Sequence, residues 1–151
     1  MSDFDPFAAN MADPRVTAFI TGHDRRSAWW VFSSGMGQWL LQGAGWWAIE
    51  LRASGTFVGN VGAFFRETSP DIEIGWNVLQ AHWGQGIATE AATEVVRYVF
   101  EVRKERRVTA LIDAGNRASQ RVAAHVGLTY EAETELFGKP LGRYAREKAG
   151  L

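Results

Sequence analysis

The sequence predicts an α/β (α+β) domain, with helices lying on the faces of a mixed sheet. Three observations carry that reading. Apolar residues recur at helical spacing up to about residue 41, alternate with polar ones between 46 and 79, and fall into successive helical and strand patterns beyond 86.

Taken in order, residues 4–11 suit a short helix stopped at Asp13-Pro14, because the residue before a proline avoids helical backbone. Asp24 is placed to cap a longer helix over 25–41, whose Trp29, Phe32, Met36 and Leu40 share one stripe. Gly35 and Gly37 weaken this helix and predict a break in its middle. Trp47, Ile49 and Leu51 then alternate with Trp46, Ala48 and Glu50, which reads as a strand. Ala53-Ser54-Gly55 forms a turn, and 57–65 is its hairpin partner. A second turn over 68–71, with Pro70 inside, leads to a strand over 72–79 that buries Ile72, Ile74, Trp76 and Val78 on one face. The segment His82-Trp83-Gly84-Gln85-Gly86 opens a helix over 87–103, with Ala88, Ala91, Val95, Val99 and Val102 inward. A short strand over 108–112 and a helix over 116–126 follow, the latter with Ala118, Val122 and Val126 inward. Gly127 suits the left-handed position after that helix, 128–136 reads as a strand, and 142–145 as a last short one.

The chain has 151 residues, of which 46% are apolar and 22% charged, so one domain over 1–151 with a proper core is expected. A formal net charge of −1 argues against a protein whose main task is gripping nucleic acid. The charge is uneven, with five basic and eight acidic residues in 1–80 against eleven and nine in 81–151. Either this is an ordinary solvated surface, or the second half meets an anionic ligand. Without cysteine there are no disulfides, Cys-ligated zinc, iron–sulfur clusters or thiol catalysis. Apolar runs stop well short of the roughly 18 residues of a membrane span. The acidic opening MSDFDPFAAN lacks the blocks of a signal peptide. A cytoplasmic location without membrane or nucleic-acid partners is expected, and no His/Asp/Glu spacing suggests a metal.

The stretch from Glu73 to Glu94 carries the chemistry. Gly84 and Gly86 let backbone N–H groups approach a ligand, and the helix that follows adds unpaired donors and the positive end of its dipole. The result is either a pyrophosphate cradle or a tight turn. Two familiar phosphate loops fail on spacing: Gly86 is followed by Ile87-Ala88 rather than Lys-Ser or Lys-Thr, and Thr89 stands where a dinucleotide fingerprint needs its third glycine.

Four linked segments are more specific: Glu73-Ile-Gly-Trp-Asn-Val-Leu79, Trp83-Gly-Gln-Gly-Ile-Ala-Thr-Glu-Ala91, Asn116-Arg-Ala-Ser119 and Gly127-Leu-Thr-Tyr-Glu131. In order and spacing they resemble the GNAT acyltransferase superfamily, in particular the branch that acetylates ribosomal-protein N-termini. The resemblance covers about residues 45–136 well and the helical N-terminal part loosely. It implies a mixed, mostly antiparallel sheet in which two parallel strands, here 72–79 and 108–112, splay apart to form an acyl-CoA cleft. It also implies acetyl-CoA as cosubstrate and direct transfer to a primary amine, on a protein N-terminus or a small molecule, by a monomer or homodimer. A non-catalytic acyl-CoA-binding or sensor domain is the alternative.

Carried over by residue, the resemblance gives Val78 main-chain contacts near the thioester. The amides from Gly84 through Gln85, Gly86 and Ile87 to Ala88 take the pyrophosphate, with Thr89 as an extra donor. Trp83 replaces the usual Gln or Arg, and Gln85 the usual cation, so somewhat weaker phosphate binding is expected. Asn116 holds the pantetheine, caps its helix, or does both. Ser119 either donates to the departing thiolate or is a solvated helix serine. Glu73 is the first candidate for general base, if burial raises its pKa, and an exposed strand residue otherwise. Glu131 is the second, from its place at the end of the family motif. Ala123 stands where many relatives have a general-acid tyrosine. The family's opening strand is missing or abbreviated here. Trp29, Trp30, Trp39, Trp46 and Trp47 form either an aromatic wall for the acceptor or part of the core.

Overall fold

The computed structural model describes residues 3–67 and 69–149. Two helices come first, α1 (Phe4–Met11) and the single-turn α2 (Pro14–Thr17), then the long α3 (Arg25–Gln42). Strands β1 (Trp46–Glu50), β2 (Phe57–Phe65) and β3 (Ile72–Val78) follow. A 3₁₀ turn over Gln80–His82 leads to α4 (Ile87–Arg97), whose last stretch, Tyr98–Val102, widens into a π turn. The chain ends with β4 (Arg107–Ile112), α5 (Arg117–His125), β5 (Thr129–Leu136) and β6 (Lys139–Glu147).

The six strands form one sheet in the order β1-β2-β3-β4-β6-β5, with β3 and β4 the parallel pair. The fold class expected from the sequence is therefore the fold observed. Only Ile72↔Val108 and Glu73↔Thr109 pair across β3 and β4, and beyond them the two strands part. β1 and β5 are the sheet edges, and no strand precedes α1 among the described residues. The outward side chains of β5 include Glu131, Glu133 and Glu135.

Two apolar clusters hold the molecule together. The larger one packs α4 and α5 on the sheet through Ile72, Ile74, Val95, Val99, Val108 and Val122. The smaller one joins α1 to α3 and the start of β2 through Phe4, Phe7, Met11, Ala28 and Phe57.

Several local expectations need correction. Asp13-Pro14 does not only end α1. The Asp13 carboxylate accepts from Arg15 N at 2.9 Å and caps α2, whose first residue is the proline. Helix α3 runs through both glycines. Its stripe is not buried either: Leu40 is 92% exposed, and the buried positions are Ala28 and Gly35. In α4 the π turn inserts a residue's worth of rotation, so Phe100 is buried while Val102 faces solvent. On α5, Val122 and Ala123 point inward and Ala118 is exposed. Strand β3 is covered on both faces, since Glu73 is buried beside Ile72 and Ile74. The last strand is longer than expected and pairs with β5 as a hairpin. Of the expected turn over 68–71, Thr68 lies outside the described residues.

Gly35 survives mid-helix because of Trp46. A Cβ on Gly35 would lie 3.1 Å from Trp46 Cδ1, one on Gly62 2.6 Å from Trp46 Cδ2, and one on Gly75 2.8 Å from Trp46 Cη2. The indole thus lies in a trough made by α3, β2 and β3, and stacks on Phe64 with centroids 5.1 Å apart. Gly62→Ala and Gly75→Ala should each cost about 1–3 kcal/mol in urea unfolding, because each new Cβ would overlap the ring and force it or a strand to shift. Gly37, with open space around its missing Cβ, should behave oppositely: Gly37→Ala is expected to stabilise by about 0.5–1 kcal/mol.

Candidate active site

A cavity of about 830 Å³ lies between the two clusters, with Phe7 and Met11 from one and Ile74, Ala110 and Ile112 from the other. It follows the opening between β3 and β4. Its lining holds three of the residues singled out from sequence, Glu73, Asn116 and Ser119, and three tryptophans, Trp46, Trp47 and Trp76. Trp46 and Trp47 line the cavity and Trp47 also packs against the main core, whereas Trp30, 66% exposed, fits neither reading.

Main-chain direction on β3 follows from one hydrogen bond. Leu79 N donates to Val58 O at 2.8 Å, so alternation turns the amides and carbonyls of Ile74, Trp76 and Val78 away from β2 and towards the opening. Val78 differs from expectation, since its carbonyl already accepts from Trp83 Nε1 at 2.7 Å. Trp83 therefore acts as a brace for the strand end.

The glycine loop beyond is built as the sequence suggests. Gly84 and Gly86 adopt φ of 74° and 81°, a conformation L side chains rarely take, with open space where Cβ atoms would be. No side chain caps the start of α4, and the first-turn amides from Ile87 to Thr89 have no acceptor before them in the helix. Gln85 turns back, with Nε2 3.4 Å from Ala81 O. None of Trp83 to Thr89 lines the cavity itself.

At the start of α5, Asn116 Oδ1 accepts from Ser119 N at 3.0 Å and caps the helix. Ser119 Oγ in turn accepts from Trp76 Nε1 at 3.2 Å, which joins α5 to β3 across the opening. Ala123 is fully buried in the main core, so its position is a packing site in this chain.

The two base candidates part company. Glu73 is 7% exposed and lines the cavity, but both its oxygens are engaged: Arg66 Nε donates to one at 2.6 Å and Arg66 Nη2 to the other at 2.8 Å. The carboxylate raises the Arg66 pKa, chiefly through those hydrogen bonds. Glu131 lies away from the cavity, on β5, bound to Arg107 at 2.6 Å and Arg143 at 2.8 Å. Hydrogen bonding to Arg107 holds its carboxyl below the ordinary value of 4.5. That geometry gives Glu131 a structural task instead of the catalytic one expected. Arg107 also binds Asp71 and Glu147 and so ties β3, β4, β5 and β6 together.

Sequence reasoning missed four lining residues. Arg66 meets Glu73 through the register Phe65↔Ile72, which an irregular turn containing Pro70 conceals. Lys139 pairs with Asp113 at 2.9 Å from the β5–β6 hairpin, and Phe137 at that hairpin's tip is 87% exposed and also lines the cavity. The Lys139 ammonium, then the Gly115 N–H, holds Asp113 below its usual range.

The acetyltransferase (GNAT) domain family matches residues 1–129. The chain belongs to that family of acyltransferases. Over 144 residues it is 33% identical to YkkB of Bacillus subtilis (strain 168), covering 89% of this chain and 80% of that protein. The acetyltransferase from Agrobacterium tumefaciens str. C58 superposes with a TM-score of 0.88 at 29% identity, over 98% of this chain and 86% of that one. RimJ of Mycobacterium smegmatis, solved in complex with CoA-disulfide, shares the fold with a TM-score of 0.76 at 23% identity, over 97% of this chain and 76% of that one.

A group whose carboxyl is lowered on folding stabilises the protein above its unfolded pKa, and that contribution fades as pH falls through the folded value. Glu131→Gln is therefore expected to lower the urea midpoint at pH 7, with the difference shrinking only as pH falls below 4.5 and vanishing below the lower folded value of Glu131.

Proposed function

We propose that this protein transfers the acetyl group of acetyl-CoA directly to a primary amine, on a small molecule or a protein N-terminus. The observation that carries the reading is the parting of β3 from β4 after two register pairs, beside an uncapped α4 preceded by Gly84 and Gly86. These features fit coenzyme A. An extended pantetheine arm matches the outward main-chain groups of Ile74 and Trp76, and a pyrophosphate matches the amides from Gly84 to Ala88, with Thr89 as a side-chain donor. Asn116 keeps its amide hydrogens for the pantetheine while its oxygen caps α5. Gln85 supplies no positive charge, so the phosphates rely on backbone donors.

Acetyl-CoA, when bound, supplies the thioester carbonyl carbon that the amine nitrogen attacks. The new C–N bond forms as the C–S bond breaks. Ser119, whose oxygen already accepts from Trp76, donates a hydrogen bond to the departing thiolate, which takes up the proton that the attacking nitrogen sheds as it becomes the amide. A main-chain N–H of β3 steadies the carbonyl oxygen as it gains charge. The acceptor arrives as an ammonium and must lose a proton. Glu73, with its oxygens engaged by Arg66, orients the amine through a remaining lone pair, and water carries the proton away.

In a thermal-shift titration, acetyl-CoA should raise the melting temperature with the logarithm of its concentration, whereas NAD and ATP should not. No response to acetyl-CoA would defeat the reading. Ser119→Ala should retain that response and lose about tenfold or more in kcat. Glu73→Gln should lose about 1–3 kcal/mol of stability by stranding Arg66. Its kcat should fall by less than the roughly 10²–10⁴-fold that removal of a general base causes. A flattened pH–rate profile in this variant would return the base role to Glu73.

A further inference from the structure

The cavity's lining says more about its occupant than that it carries an amine. Phe7, Phe32, Trp46, Phe64 and Trp76 face it, as does Phe137 from the β5–β6 hairpin. Its charged residues are largely matched within the lining, Glu73 by Arg66 and Asp113 by Lys139. With Asp3 also in the lining, its carboxylates outnumber its cations by one, a balance that suits a single ammonium and not several, since burying charges unpaired is costly. A volume of about 830 Å³ lies within the range of small-molecule sites, including room for the reacting end of the cosubstrate.

Phe137 is the second observation. It and Gly138 adopt φ of 52° and 76°, a tight turn in which the first residue is not glycine. A bulky residue in that conformation is strained, and the turn leaves its exposed ring at the cavity edge. We infer that the acceptor is a small molecule with a single primary amine on an apolar, ring-bearing body, and that Phe137 closes against that ring. This rests on the acetyl-transfer reading of the same site. The apolar surroundings also favour the neutral amine over the ammonium, which suits a site whose cavity glutamate is already paired.

The test compares kcat/KM for phenethylamine, spermidine, kanamycin and a short peptide with an N-terminal alanine, following release of free thiol from acetyl-CoA. Phenethylamine should lead by about tenfold or more, the discrimination an apolar pocket provides. Phe137→Ala should raise the KM for phenethylamine about three- to tenfold and leave acetyl-CoA affinity, read by thermal shift, unchanged. A preference for spermidine, kanamycin or the peptide overturns the acceptor class, and so does acetyl-CoA binding without transfer to phenethylamine. An unchanged KM in the variant overturns the placement of Phe137. Failure to bind acetyl-CoA would instead overturn the acetyl-transfer reading on which this one stands.

Discussion

The indole of Trp46 fixes the distance between α3 and the sheet. Three glycines from three elements give it room, and its carbonyl accepts from Trp39 Nε1 at 3.0 Å. A large ring wedged between backbones cannot shift without moving a helix or a strand. The middle of α3, at Gly35, is therefore held at a set height over β2 and β3. The cavity is the space so left. The opening between β3 and β4 bounds it on one side, and the helices bound it on the other.

Charge is distributed to match. Arg107 gathers Asp71, Glu131 and Glu147 where the parallel strands are still paired, and clamps them just before they part. Further along the opening, Arg66 pairs with Glu73 and Lys139 with Asp113 in the lining. Arg103 donates to the carbonyls of Gln42 and Gly43 at 2.9 and 2.8 Å, which ties the end of the π turn to the end of α3. The splay is thus held between clamped regions and does not spread through the sheet.

The fold was largely legible because its signals are local. The turn at Ala53-Ser54-Gly55 marks 57–65 as its hairpin partner, which is β2 to the residue, and Asp24 and Asn116 are helix caps as their positions suggest. What misled were residues whose partners are remote in the chain. Gly35 weakens an isolated helix but accommodates Trp46, and Leu40 fits the periodicity of α3 yet has nothing to cover it. The π turn leaves no composition signature, so Val99 is inward as expected but Val102, expected inward, faces solvent and Phe100 is buried instead. The site was legible where it is backbone, in Gly84, Gly86 and the start of α4. Side-chain pairs such as Glu73 with Arg66, or Glu131 with Arg107, depend on register across hairpins, and sequence spacing does not reveal that register.

The two outer strands differ from the interior in a way that concerns how such a sheet behaves in company. Exposed strand edges carry unpaired amides and carbonyls, an invitation for another chain to add itself. Here β1 is five residues long and its ladder slips between Ile49 and Glu50. β5 carries Glu131, Glu133 and Glu135 on its outward side chains, and its own ladder slips between Tyr130 and Ala132. A second such strand laid alongside in register would bring like charges together and meet a kinked backbone. The sheet is thus guarded at both margins against growth into fibres, even though its centre has been pulled open to make room for a ligand.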